Sequence, residues 1–164
     1  MVQVRVAGVA LDSAGQHVIL LKPIDELPGE GRILPIWIGA QEATSILIAV
    51  EGALAPRPLA HDLMKSMLDA LQATVEQVEV TRIDDGTFFA AVTLRSASGV
   101  LVIDARPSDA VALASRAGAP VFVAEAVLLE AGVPGTVVES DEEQSLEEFQ
   151  RFLDEVDPED FREG

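Results

Sequence analysis

"VEQVEVTRIDDGTFFAAVTLRSASGVLVIDARPSDAVALASRAG", residues Val75 to Gly118, changes its period part of the way along. Val75–Ile83 and Thr87–Arg95 alternate apolar and polar residues on either side of the turn Asp84-Asp85-Gly86, a pattern that predicts a β-hairpin. Ser96 to Gly99 lead into a further strand, Val100–Ala105, so three sequential antiparallel strands should form a meander. Beyond Arg106 the period becomes helical. Pro107 takes the first helical position and Gly118 stands just past the end, the asymmetry expected of a real helix.

Working outward, Val2–Leu11, the turn Asp12–Gly15 and His17–Pro23 predict a first hairpin, and Ile33–Gly39 a third strand after the turn-rich loop Asp25–Gly31. In Ala40–Leu54, residues Ala43, Ile46, Leu47, Val50 and Leu54 have helical spacing, with Glu42 in the first turn. Ala55–Pro58 break that helix. Ala60–Ala73 open another, whose Leu63, Met64, Met67, Leu68 and Leu71 have the spacing of a core-facing stripe. On the far side of Gly118, Pro120–Ala124 read as a short buried strand and Glu125–Gly132 as a short helix. The expected class is α+β: a mostly antiparallel or mixed sheet packed by about three main helices, with an acidic C-terminal helical extension. The expected organisation is one domain over residues 1–135 and a tail over 136–164, partly helical or disordered.

Composition narrows the function. The chain has 164 residues, no cysteine and two histidines, His17 and His61, so disulfides and thiolate-metal sites are excluded. Residues 139–164 hold 12 acidic residues and 2 arginines, leaving 16 acidic and 9 basic residues for 1–138. The net charge of −17 therefore lies mostly in the tail. A field of that sign opposes non-specific binding to a polyanion, which normally relies on Lys and Arg displacing counterions. No apolar run approaches the ~20 residues that cross a bilayer, and no leader pattern is present; the expected location is the cytoplasm, with no membrane partner. The positive mean hydropathy of +0.29 with few aromatics points to extensive apolar burial, part of it between subunits of a homodimer or higher homo-oligomer.

Two joints repeat an Arg-Pro pair followed by an aspartate: "RPLAHDL" (Arg57–Leu63) and "RPSD" (Arg106–Asp109). Together with "LPIWIGAQEATSI" (Leu34–Ile46), "DDGTFFAAVTL" (Asp84–Leu94) and "IDARPSDAVALASRAGAPVFV" (Ile103–Val123), they resemble the bifunctional nuclease family, over roughly residues 1 to 135 and in that family's order. The resemblance implies a self-associating α+β domain and hydrolysis of both DNA and RNA in at least some members. One departure is Ala60, where the family usually has threonine before His-Asp; losing that helix cap should cost about 1 kcal/mol unless Asp62 or a neighbour substitutes.

Phosphodiester hydrolysis without cysteine can use divalent ions, Mg²⁺ or Mn²⁺, held by carboxylates that activate water. The candidates are Glu42, Asp62, Asp104 and Asp109 as ligands, with Asp62, His61, Asp104 and Asp109 as catalytic groups. Arg57, Arg106 and Ser108 are candidates for binding substrate phosphate, the arginines as bidentate clamps and all three near helix starts. The same letters also support a plainer account. Asp62 and Asp109 can be first-turn dipole partners, Asp104 or Ser108 a helix cap, and Arg106 an internal partner of Asp104 or Asp109. The rival function is a non-catalytic regulatory or scaffold oligomer that binds a small anion or a protein partner.

Overall fold

The structure, a computed structural model, describes residues 1–27 and 30–135. The acidic tail expected over 136–164 lies outside the described residues.

Two antiparallel meanders are stitched into one sheet. The first contains β1 (Val2–Leu11), β2 (His17–Pro23) and β3 (Arg32–Ile38); the second contains β4 (Thr74–Asp84), β5 (Thr87–Ser96) and β6 (Gly99–Ala105). The three-residue strand β7 (Val121–Val123) joins them, antiparallel to β1 and parallel to β4. With the two-residue β8 (Val133–Pro134) on β3, the sheet has eight strands in the order β6-β5-β4-β7-β1-β2-β3-β8. The sheet is therefore mixed, with β4–β7 as its parallel pair among the described residues.

Four helices accompany it: α1 (Ala40–Val50), α2 (Ala60–Ala70), α3 (Pro107–Ala117) and the short α4 (Glu125–Ala131). β6 runs parallel to β7, so α3 is the crossover between them and packs on β4 and β5. Its buried face, Ala110, Val111, Leu113 and Ala114, meets Val78, Val80, Phe88, Ala90 and Val92 in the main core. Alternation in β5 accounts for this: Phe88, Ala90, Val92 and Leu94 turn inward while their neighbours do not. Pro107 does begin α3, and Gly118 ends it with a positive φ of 66° that suits a residue without a Cβ.

Two expectations need correction. α1 stops at Val50, because Gly52 turns the chain with a φ of 68°, and Leu54 beyond it is 96% exposed. α2 is not core-facing along its predicted stripe: Leu68 packs on the core, but Leu63, Met64, Met67 and Leu71 are exposed. The physical reason is position. α2 rests on α3 rather than on the sheet, and the side it buries carries His61.

Candidate functional site

The site begins where β6 passes into α3. Arg106 has extended backbone at the helix N-cap, and Pro107 stiffens the next position, so Asp109 falls in the first turn with its side chain directed back toward the joint. Arg106 donates from Nε and Nη2 to Asp109 Oδ2, at 2.9 and 2.8 Å, and from Nη2 to Glu42 Oε1 at 3.3 Å. Glu42 lies in the first turn of α1 and folds back over its N-cap, Gly39; a Cβ on Gly39 would overlap the Glu42 carboxylate. Two acids thus share one guanidinium across two helix starts.

At the start of α2, the N-cap residue is Leu59, and its backbone N–H donates to Asp62 Oδ2 at 2.8 Å. Ala60 is therefore the first helical residue and not the cap position expected from the sequence, and Asp62, at the third helical position, satisfies the N–H of the Leu59 cap. Its other oxygen, Oδ1, accepts from Arg116 Nε at 2.6 Å. The Arg116 guanidinium, and after it the Leu59 N–H, hold the Asp62 carboxyl below the ordinary carboxylate range.

His61 connects the two halves. One ring nitrogen, Nε2, lies 2.8 Å from Asp109 Oδ1, and the other, Nδ1, lies 2.7 Å from Ser45 Oγ. Arg116 Nη2 donates to the same Ser45 Oγ at 3.0 Å and to the Ser45 carbonyl at 3.2 Å. An arginine can only donate and a carboxylate can only accept, which sets the direction of the chain. Arg116 donates to Ser45, the Ser45 hydroxyl donates to His61 Nδ1, and His61 Nε2–H donates to Asp109. This direction is that of a neutral imidazole, whose tautomer is then Nε2–H.

Ser45 and Arg116 were not among the residues singled out from sequence. Ser45 is a polar residue on the buried side of α1 between Ala43 and Ile46, which is the signal it leaves in the sequence. Arg116, in the last turn of α3, reads there as an ordinary dipole partner. Its guanidinium instead ties α3 to α1 through Ser45, to α2 through Asp62, and to its own helix through the Ala112 carbonyl at 2.9 Å.

A cavity of about 670 Å³ opens at this network, lined among others by Glu42, Ser45, His61, Met64, Arg106 and Asp109. Asp62 and Arg116 line a separate groove between α1 and α2. Glu42, His61, Asp62, Arg106 and Asp109 are therefore joined in one hydrogen-bonded chain that is exposed on two surfaces. His61 is buried, whereas Asp109 and Arg106 are part open to solvent. Three sequence candidates lie elsewhere. Asp104 is exposed on β6, paired in register with Ala91, and Arg57 is exposed in the α1–α2 connection; neither lines the cavity. Ser108 is fully buried at the start of α3.

The carboxylates as arranged do not fit a divalent cation. Each acid of the network already faces a cation of the chain: Asp109 and Glu42 face Arg106, and Asp62 faces Arg116. Asp104 is apart from them, and among the described residues no three His, Asp or Glu side chains are grouped as ligands of one ion. A metal at Asp109 would have to displace Arg106.

Residues 20–136 match the bifunctional nuclease domain. The chain is 39% identical over 171 aligned positions to the uncharacterized protein Rv1829 of Mycobacterium tuberculosis, covering 99% of both. It is 31% identical over 115 positions to Bifunctional nuclease 1 of Arabidopsis thaliana and 28% identical to Bifunctional nuclease 1 of Oryza sativa subsp. japonica. Those two matches cover 68% of this chain and 34% of the plant proteins, so the shared part is about a third of each plant protein. The chain belongs to the family defined by the bifunctional nuclease domain.

Proposed function

We propose that this protein is a nuclease-like hydrolase acting on phosphodiester bonds of DNA or RNA. The observation that carries the reading is the convergence of Arg106, Asp109 and His61 on one open cavity in a chain of this family. Arg106 is the cation that receives a phosphate, swinging from Glu42 and Asp109 to offset charge on the non-bridging oxygens. Asp109 then takes a proton from the attacking water as the water oxygen bonds to phosphorus, and the leaving P–O bond breaks with the departing oxygen taking a proton from solvent. His61, buried and hydrogen-bonded at both nitrogens, holds Asp109 in place. Asp62 and Arg116 act through Ser45, by fixing His61.

Mg²⁺ or Mn²⁺ enters no step of this scheme, because the carboxylates face arginines. The proposal places the protein in the cytoplasm as a homodimer or higher homo-oligomer; no helix among the described residues is long and apolar enough to cross a membrane.

A second reading, a regulatory or scaffold oligomer binding a small anion or protein, draws support from the mutual neutralisation of the cavity's charges and from the net −17. The deciding experiment incubates the purified full chain with single-stranded RNA and DNA in EDTA, Mg²⁺ and Mn²⁺. Cleavage that Asp109→Asn abolishes in folded protein supports the hydrolase. No cleavage in any arm, with inorganic phosphate or an oligonucleotide still binding in titration calorimetry, favours the regulatory reading.

A further inference from the structure

The cavity at Arg106 has two unlike parts. At one end stand the charged groups, Arg106 with Glu42 and Asp109. The rest is a slot between two helical rows: Ala40, Thr44 and Ile48 of α1 line one side, and Ala60 and Met64 of α2 the other. Residues four apart lie along one side of a helix, so each helix presents a continuous wall. The row from Ala40 to Ile48 covers eight residue rises, about 12 Å. The walls are mainly apolar: Met64 is 40% exposed, and the Thr44 hydroxyl is occupied in donating to the Ala40 carbonyl of its own helix. Glu42 belongs to the first turn of α1, so its bond to Arg106 holds the guanidinium toward the Ala40 end. The length toward Ile48 and Met64 is left for an uncharged group.

Charge limits what can enter. Arg106 is the one cation among the described residues that lines the cavity, and it already faces two acids. Lys65, Arg82, Arg95 and Arg116 are paired with Asp69, Asp84, Glu76 and Asp62. A long nucleic acid is normally held by several Lys or Arg contacts along its backbone. Here each phosphate after the first finds no cation lining the cavity and meets a chain with 16 acidic against 9 basic residues over 1–138. The apolar walls act in the other direction. They gain from covering one flat base whatever the length of the strand it belongs to, and a thioether such as that of Met64 packs well on an aromatic ring.

We infer that the substrate of this site is a short oligonucleotide, with a dinucleotide the preferred case: its phosphodiester lies on Arg106, one base lies in the slot between Ile48 and Met64, and the other base lies outside it. The inference rests on the hydrolase reading above and names its substrate class. The size of the cavity agrees, since about 670 Å³ is the volume of a small-molecule site rather than of a channel that follows a strand. Each turnover consumes one water: its oxygen joins phosphorus, the departing sugar oxygen takes a proton, and a nucleoside and a mononucleotide leave. The reaction that must supply such a substrate is the degradation of longer RNA or DNA by an enzyme that stops at short fragments.

The test compares a dinucleotide, a pentanucleotide and a single strand several tens of nucleotides long, each as RNA and as DNA, cut by the full chain in EDTA, Mg²⁺ and Mn²⁺. Per phosphodiester bond, kcat/KM should be roughly tenfold higher for the dinucleotide than for the long strand, whose added phosphates meet repulsion. Log KM should rise with log salt at a slope of about 0.7 for every length, the value for one contact to a single strand. Met64→Gln should raise KM for the dinucleotide about two- to tenfold with kcat unchanged. Met64→Lys should raise that KM too, while lowering KM for the long strand. Leu63→Gln, on α2 but outside the cavity, should change neither. Cleavage of the long strand as fast per bond as the dinucleotide, a steep salt slope, or Met64 variants with unchanged KM would overturn the inference and leave the hydrolase reading standing. If no strand of any length is cut, that reading falls, and titration calorimetry decides the inference by itself: tighter binding of the dinucleotide than of the long strand sustains it, and the reverse order, or no binding of either, ends it.

Discussion

The imidazole of His61 lies between Asp109 Oδ1, 2.8 Å from its Nε2, and Ser45 Oγ, 2.7 Å from its Nδ1, so an acid at the cavity and a hydroxyl behind it are coupled through one ring. The acid is the more exposed end. Asp109→Asn keeps the shape but removes the charge that accepts a proton from water, and it leaves Arg106 facing an amide. General-base contributions run to about 10²–10⁴ in rate, and kcat on single-stranded RNA should fall by that factor. Stability should fall by roughly 1–3 kcal/mol. Single-turnover kinetics with a parallel urea titration separates the two; retained kcat would remove Asp109 from the chemistry.

Ser45→Ala tests the other end of the ring. The hydroxyl accepts from Arg116 and donates to His61 in a buried position, so its removal leaves an Nη2 donor and the Nδ1 acceptor without their shared partner. An unsatisfied buried polar group costs about 1–3 kcal/mol, and denaturation should show a loss in that range. In nitrogen-resolved NMR, the Nε2–H tautomer of His61 should be the sole neutral form in wild type and should become mixed in Ser45→Ala. An unchanged spectrum would mean that Asp109 alone sets the ring.

The acid Asp62 gives a pH signature. Its carboxyl is held below the ordinary carboxylate range, chiefly by Arg116. A group with a lowered folded pKa contributes stability that is fully present above the unfolded value and lost as pH falls through the folded one. The stability difference between wild type and Asp62→Asn should therefore be constant from neutral pH down to about 4 and shrink below it. Urea midpoints measured from pH 7 to pH 2.5 check this, and a gap that stays constant to the lowest pH would rule out the Arg116 pairing as its source.

The parts of this fold that were legible in the sequence are those with a local period. The meander around Asp84-Asp85-Gly86 and the helix between Pro107 and Gly118 each state their own limits, because turn chemistry and capping act over a few residues. The insertion of β7 between β4 and β1 was not legible: three residues have no period to speak of, and their pairing is non-local. Nor was the placement of α2, since an amphipathic stripe says that a face suits cover without saying what supplies it. At the site, Glu42, His61, Asp62, Arg106 and Asp109 could be named from helix starts and joints. Ser45 and Arg116 could not, because their partners come from helices that meet only in three dimensions.

Asp104 and Arg106 show how little sequence proximity decides. They are two residues apart, yet Arg106 lines the cavity with Asp109 and Glu42, while Asp104 stands exposed on β6 outside it. Arg106→Gln keeps a hydrogen-bonding side chain but loses the charge that would meet a phosphate and leaves Glu42 and Asp109 facing each other without a cation. A charged hydrogen bond is worth about 1.5–3 kcal/mol, so KM for an oligonucleotide should rise by roughly 10- to 100-fold, and the salt dependence of binding should flatten as one phosphate contact is lost. Asp104→Asn should leave kcat and KM within about twofold, since surface changes remote from such features are worth less than ~0.5 kcal/mol. Steady-state kinetics of the two variants side by side checks the assignment; a large loss in Asp104→Asn with Arg106→Gln unaffected would move the reacting centre out of the α1–α3 cavity and onto the edge strand.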